Sequence, residues 1–180
     1  MPWHSNSMHQ LILLRHAKAA PQTLSIADHE RPLTQAGQAA ATRLGQAMGK
    51  AGLAPDVVLV SSARRTQETF EALEASGLWD EWPNIDSLPN LYMAPAQRIG
   101  DILRELAETV RSAMVIGHNP GLHELALMLA GHAVAQPAFR ALAEGYPTCA
   151  MVEFLLTSPW RRLGPGHAAL QRFLPPGPVT

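Results

Sequence analysis

Leu11-Ile12-Leu13-Leu14-Arg15-His16-Ala17-Lys18 is the stretch that decides how this chain folds. Four consecutive apolar residues without alternation describe a short strand buried on both faces. The run stops abruptly at a guanidinium and an imidazole. The same pattern recurs twice: Val57-Val58-Leu59-Val60 stops at Ser61-Ser62, and Met114-Val115-Ile116 stops at Gly117-His118. A fourth strand is expected over 150–156, and weaker runs at 85–88 and 170–173 suit the edges of a sheet.

Helical patterns separate these runs. Thr34 has the chemistry of an N-cap ahead of Ala36, Ala40, Leu44, Ala47 and Met48, and Gly52 closes that segment. Ser62 is expected to cap a helix reaching about Ser76, with Phe70 and Leu73 inward. Ile99, Ile102, Leu103, Leu106 and Val110 form the cleanest 3.6-residue stripe. Asn119-Pro120 reads as an N-cap followed by a proline at the first helical position, ahead of Leu122, Leu125, Ala126 and Leu129. Strands alternating with helices predict an α/β fold with helices on both faces of a mostly parallel sheet. One domain over residues 8–175 is expected, with 1–7 an N-terminal extension, Met8 an alternative start, and 176–180 a Pro- and Gly-rich tail.

Composition narrows the function classes. Apolar residues make up 47% of the 180, enough for a packed core, and the net charge of -1 points to neither nucleic acid nor an anionic membrane. The cations are twelve Arg against two Lys, a bias suited to gripping phosphate oxygens in pairs. Cys149 is the single cysteine, so no intrachain disulfide is possible. No apolar run reaches the about 20 residues that cross a bilayer, and the first ten residues lack a signal peptide's basic start and apolar middle. A cytoplasmic protein is the expectation.

Several chemistries fail on spacing. His123-Glu124 lacks the later histidine of H-E-x-x-H, and His118 and His123 are five apart, so no metal site is expected. Leu155, six residues after Cys149, stands where a cysteine phosphatase needs arginine. Gly45 to Gly49-Lys50 is one residue short of a P-loop, and no G-x-S-x-G elbow is present. No cofactor is implied.

What remains is an anion site. Ligands of open α/β sheets bind beyond the carboxyl ends of the strands, where Arg15-His16, the Ser61–Arg65 turn and His118 would meet beside two helix N-termini. Leu14-Arg15-His16-Ala17-Lys18 resembles the RHG signature of the histidine phosphatase superfamily, with Ala17 where glycine is usual. Arg31-Pro32-Leu33-Thr34 resembles its phosphohistidine phosphatase (SixA-like) branch. The segment from Ser61 to Thr69 is similar to the family's S-P-x-x-R-A-x-Q-T turn, with Arg65 on the phosphate-binding arginine, and Gly117-His118-Asn119-Pro120 matches the second-histidine motif. Tyr146-Pro147-Thr148 and Trp160 also fit the branch.

The resemblance implies a phosphoglycerate mutase-like three-layer α/β/α fold and catalysis by His16, Arg15, Arg65 and His118. His16 would be the nucleophile, its other ring nitrogen keeping a proton on a backbone carbonyl. Arg15, Arg65, Lys18 and Asn119 would hold the substrate, and Arg31 is as suited to a structural ion pair as to phosphate. Asn90 stands where many superfamily members carry a glutamate acid, and it has no proton to give. Asp28 and Asp101 are possible substitutes that sequence alone does not place near the site. The missing acid favours a phosphorus–nitrogen substrate, and gaps of roughly fifty residues between His16, Arg65 and His118 leave no insertion for a lid. The expected partner is a phosphate-bearing substrate, foremost a histidine-phosphorylated protein; a small-molecule phosphomonoesterase and a non-catalytic phosphate-binding module are the alternatives.

Overall fold

The computed structural model describes residues 9–77, 79–81, 83–131 and 133–177. The expected extension, the start at Met8 and the last three residues of the tail lie outside them. Strand β1, His9–Arg15, sits deep in a six-stranded sheet with β2 (Val57–Ser61), β3 (Asn84–Leu88), β4 (Ser112–Gly117), β5 (Met151–Leu156) and β6 (Ala168–Leu174), in the order β3-β2-β4-β1-β5-β6. The weak apolar runs are the two edge strands, as expected from their composition. Helices α1 (Gln35–Lys50) and α2 (Arg64–Glu74) cover one face; α3 (Ala96–Arg104), α4 (Gly121–Leu129) and α5 (Pro137–Glu144) cover the other. The unbroken apolar runs now have their reason. Leu11 and Leu13 belong to the core under α3 and α4, while Ile12 and Leu14 belong to the core under α1 and α2.

The sheet is mixed rather than mostly parallel. β3, β2, β4 and β1 run parallel, but β5 is antiparallel to both β1 and β6. Connectivity explains the difference. Cys149 donates its amide to the carbonyls of Arg15 and His16, so the chain enters β5 at the carboxyl end of β1 and must run back along it.

Two helix starts depart from the expected grammar. Thr34 does cap α1, accepting the Gly37 amide at 3.0 Å. α2 instead begins after Ala63 with no side-chain cap, and the Ser62 hydroxyl is hydrogen-bonded to His29 Nε2. α4 begins at Gly121, because the Asn119 amide donates to the Tyr146 carbonyl rather than capping. α3 ends at Arg104, although Leu106 and Val110 still pack on the core from the following turns. α5 was not foreseen; its markers are Pro137 at the first position and Gly145 after the last. Among the described residues, no helix is long and apolar enough to cross a membrane.

Candidate active site

The strand register assembles the site. Arg15 of β1 lies opposite Gly117 of β4, and Val60 of β2 lies opposite Ile116, so Arg15, Gly117 and Ser61 end their strands at one level. The next residues on β1 and β4 are His16 and His118, and the His16 amide donates to the Gly117 carbonyl at 3.1 Å. Their rings stand 5.3 Å apart, tilted by 55°.

His16 is 7% exposed, and its Nδ1–H donates to the Ala17 carbonyl at 2.8 Å. That bond fixes the tautomer and leaves Nε2 with a free lone pair. Burial lowers its pKa to about 4, and Arg65, Arg15 and Arg31 push the same way. The carbonyl itself is held in place, because the Ala17 amide donates to Thr69 Oγ1 at 2.9 Å.

His118 has the opposite tautomer. Arg65 Nη2 donates to its Nδ1 at 3.4 Å, so Nε2 carries the proton and donates to Ser61 Oγ at 2.7 Å. Burial, then His16 and Arg65, lower its pKa to about 3.

Arg65 projects from the first turn of α2 and is 1% exposed. Nη1 donates to the Asp28 carbonyl at 2.7 Å and Nη2 to Asp28 Oδ2 at 3.1 Å. Arg15 Nη1 donates to the Tyr146 carbonyl at 2.9 Å, the same oxygen that takes the Asn119 amide. Burial and the neighbouring Arg65 cation lower the Arg15 pKa from its usual value. The Nε atoms of both arginines are buried and have no hydrogen-bond partner among the described residues. Buried guanidinium donors without an acceptor carry a desolvation cost that an anion between them removes.

His16, Arg15, Arg65 and His118 therefore converge, and Asn119 borders them. Lys18 is exposed; its carbonyl, not its ammonium, is the part fixed here, accepting from the Thr34 amide and hydroxyl. Arg64 is exposed and paired with Glu68. Arg31 makes the structural ion pair, with Asp28. Of the possible acids, Asn90 lies exposed on the short turn Pro89–Leu91, and Asp101 pairs with Arg104 on α3.

Asp28 is inside the site after all, but as an anion. The Tyr92 hydroxyl, Arg65 and Arg31 hold its pKa down to about 2. Tyr92 was missed by sequence reasoning. Its hydroxyl donates to Asp28 Oδ2 at 2.5 Å and its ring meets His118 edge-on at 5.5 Å. The signal was its place two residues after Asn90. Thr69, the last residue of the quoted turn motif, was likewise passed over.

Two histidines with fixed, complementary tautomers beside Arg15 and the buried Arg65, at the positions of four ordered motifs, decide the family. The chain belongs to the histidine phosphatase superfamily. A sequence profile of that superfamily (branch 1) matches residues 11–91. The chain is 33% identical over 132 residues to an uncharacterized chloroplast protein of Arabidopsis thaliana, covering 69% of this chain and 61% of that protein. It is 30% identical over 163 residues to an uncharacterized protein of Mycobacterium tuberculosis, covering 89% of this chain and 98% of the relative. Among solved structures, a candidate phosphohistidine phosphatase SixA from Nakamurella multipartitia superimposes with a TM-score of 0.80 at 26% identity, over 94% of this chain and 96% of that one. The sheet and its two flanking helical layers are those of the superfamily's solved structures, and His16, Arg65 and His118 meet at the ends of β1, β2 and β4.

Proposed function

We propose that this protein is a phosphatase that works through a covalent phosphohistidine on His16, without a metal ion, and that its substrate is phosphohistidine in another protein. The observation that carries the proposal is the His16 ring. Nδ1–H is locked on the Ala17 carbonyl, and a pKa of about 4 keeps Nε2 unprotonated at neutral pH, beside the buried Arg65 and the half-buried Arg15. In the first step the Nε2 lone pair forms a bond to phosphorus while the bond from phosphorus to the substrate imidazole breaks. The substrate ring, already protonated by solvent on its other nitrogen, keeps that electron pair and leaves as neutral imidazole. In the second step water attacks phosphorus, the bond to Nε2 breaks, and inorganic phosphate leaves. Arg15 and Arg65 would neutralise the non-bridging oxygens, since phosphoryl transfer depends mainly on positioning and charge.

The acid inventory favours a phosphorus–nitrogen bond over an ester. Asp28 is ionised, Tyr92 holds its proton more tightly than a free phenol, and His118 at about 3 has none to spare beyond the one on Ser61. An alkoxide leaving group needs a donor in the site; a phosphohistidine ring that takes its proton from solvent on the other nitrogen leaves as neutral imidazole, whose conjugate acid has a pKa near ~6.5, and needs none. The mouth also suits a protein-borne group. Met93 is exposed, follows Tyr92 in the chain and places its Sδ 3.9 Å from Arg65 Nη2, and Leu24 and Ile26 are exposed apolar residues of the segment leading to Asp28.

The test is turnover of a histidine-phosphorylated protein beside an aryl phosphate, in the presence of EDTA, with the protein and its His16→Ala variant. The expected result is faster release from the phosphoprotein, label trapped on His16 after an acid-free quench, and near-complete loss in the variant. Full activity of His16→Ala removes the mechanism. Preference for aryl or sugar phosphates removes the substrate assignment, and phosphate binding without turnover by the intact protein makes this a binding module.

A further inference from the structure

Asp28 makes more contacts to the site than any mechanism above requires. Its carbonyl and its Oδ2 each accept from one terminal nitrogen of Arg65, at 2.7 and 3.1 Å. Oδ2 also takes the Tyr92 hydroxyl, and Oδ1 takes Arg31 Nε at 2.9 Å. Arg31 is itself tied to the Ala20 carbonyl at 2.8 Å. Both carboxylate oxygens are therefore pinned, and each terminal nitrogen of the Arg65 fork has an acceptor on Asp28. The edge that remains carries the buried, partnerless Nε.

We infer that Asp28 is a positioning residue: it grips Arg65 end-on so that the Nε edge faces the phosphoryl group, and its charge keeps the site from retaining released phosphate. This rests on the reading of the site as a phosphoryl site, though not on the identity of the substrate. Three guanidiniums, Arg15, Arg31 and Arg65, act on His16. Left uncompensated, they would bind the dianionic product as strongly as the transition state, and uniform binding of that kind does not raise turnover. Asp28 is the carboxylate in direct contact with two of the three. With its pKa held down to about 2, it is ionised at neutral pH and supplies an opposing charge there.

The loop that carries Asp28 has other tethers. The Leu33 amide donates to Glu68 Oε2 at 2.6 Å, the Ala17 amide to Thr69, and Thr34 holds the Lys18 carbonyl. Changing the carboxylate should therefore loosen Arg65 without releasing the loop.

The experiment compares Asp28→Asn and Asp28→Glu with the unaltered protein. Calorimetric titration with inorganic phosphate is paired with steady-state turnover and thermal melts. Asp28→Asn is expected to bind phosphate roughly tenfold more tightly, since one opposing charge is gone from a partly buried site, and to turn over roughly 10–100-fold more slowly, the usual result of a small misplacement near the chemistry. Asp28→Glu keeps the charge and loses the register, so phosphate affinity should hold while turnover stays slow. Should Asp28→Asn melt below the assay temperature, Tyr92→Phe frees one hold on Oδ2 and leaves the charge; slowed turnover with unchanged phosphate affinity is then expected. Unchanged or weaker phosphate binding in folded Asp28→Asn, or full turnover in Asp28→Glu or Tyr92→Phe, overturns the inference. If no phosphorylated substrate is turned over by the unaltered protein, the proposed function fails, while the phosphate titrations still decide whether Asp28 sets the site's charge.

Discussion

Acid should unfold this protein through its two site histidines, and the size of the effect follows from their burial. In an unfolded chain each takes a proton near pH ~6.5. In the folded protein burial, with nearby arginines, holds His16 at about 4 and His118 at about 3. As pH falls from 6.5 towards 4, the unfolded chain binds protons that the native state refuses, so stability falls with pH across that window. Each unit is worth about 1.36 kcal/mol per histidine. At pH 5 the loss is therefore about 2 kcal/mol for each and about 4 kcal/mol for the pair, a large part of the ~5–15 kcal/mol that holds a domain together. Asp28 does not blur this window. Its depressed carboxylate adds stability above an unfolded value near 3.8 and loses it only as pH falls towards 2.

The assay is urea unfolding at pH 7 and pH 5, in buffer free of phosphate, because a bound anion would itself stabilise the native state. The unaltered protein is compared with His16→Asn, His118→Asn and the double variant. The remaining histidines are common to all four and cancel. Between the two pH values the unaltered protein should lose about 4 kcal/mol more than the double variant, with each single variant near the midpoint. Equal pH dependence in all four would mean that both histidines titrate as they do in water. About a quarter of His16 would then carry a proton at pH 7, and the argument that burial keeps its lone pair free would fall.

Three further outcomes follow from particular contacts. Arg65→Ala removes a buried guanidinium and should cut turnover by at least roughly 10²–10³, the usual cost of one well-placed donor to developing charge; a loss under tenfold in steady-state assays would show that Arg65 does not meet the phosphoryl group. Gly37→Ala would place a methyl 2.2 Å from the Lys18 carbonyl oxygen, so either α1 or the loop that carries Asp28 must shift. Thermal melts should show a loss of about 1–3 kcal/mol, and a melt unchanged from the parent would contradict the close approach. Leu24→Asp alters a fully exposed residue of the segment leading to Asp28; release of phosphate from a phosphohistidine protein should slow severalfold while an aryl phosphate is unaffected, and an equal effect on both would argue against protein docking there.

What was legible in the sequence was whatever depends on short-range pattern. The buried strands announced themselves as apolar runs because helices cover both faces, and the histidines and arginines stood out because they end those runs. The antiparallel turn of β5 did not, since direction depends on where Cys149 docks against Arg15 and His16, and no local signal carries that. The caps of α2 and α4 were misread for a related reason. Ser62 and Asn119 have the chemistry of N-caps, but His29 and the Tyr146 carbonyl, 33 and 27 residues away, claim their side chains. Asp28 was noticed as a possible acid that could not be placed, because its position and charge state are set by Tyr92 and Arg65, which lie 64 and 37 residues from it.

The alanine that replaces the signature's glycine follows from the same physics. Ala17 is not among the residues with positive φ, so its methyl meets no backbone strain. That methyl is fully buried in the core beneath α1 and α2, beside Leu14 and Phe70. Both polar groups of the residue are committed as well, the amide to Thr69 and the carbonyl to His16 Nδ1. A glycine could make the same two hydrogen bonds, but it would lack a buried methyl worth about 0.8 kcal/mol and would be freer to move before folding. The departure from the usual motif therefore stiffens the one carbonyl on which the tautomer of His16 depends.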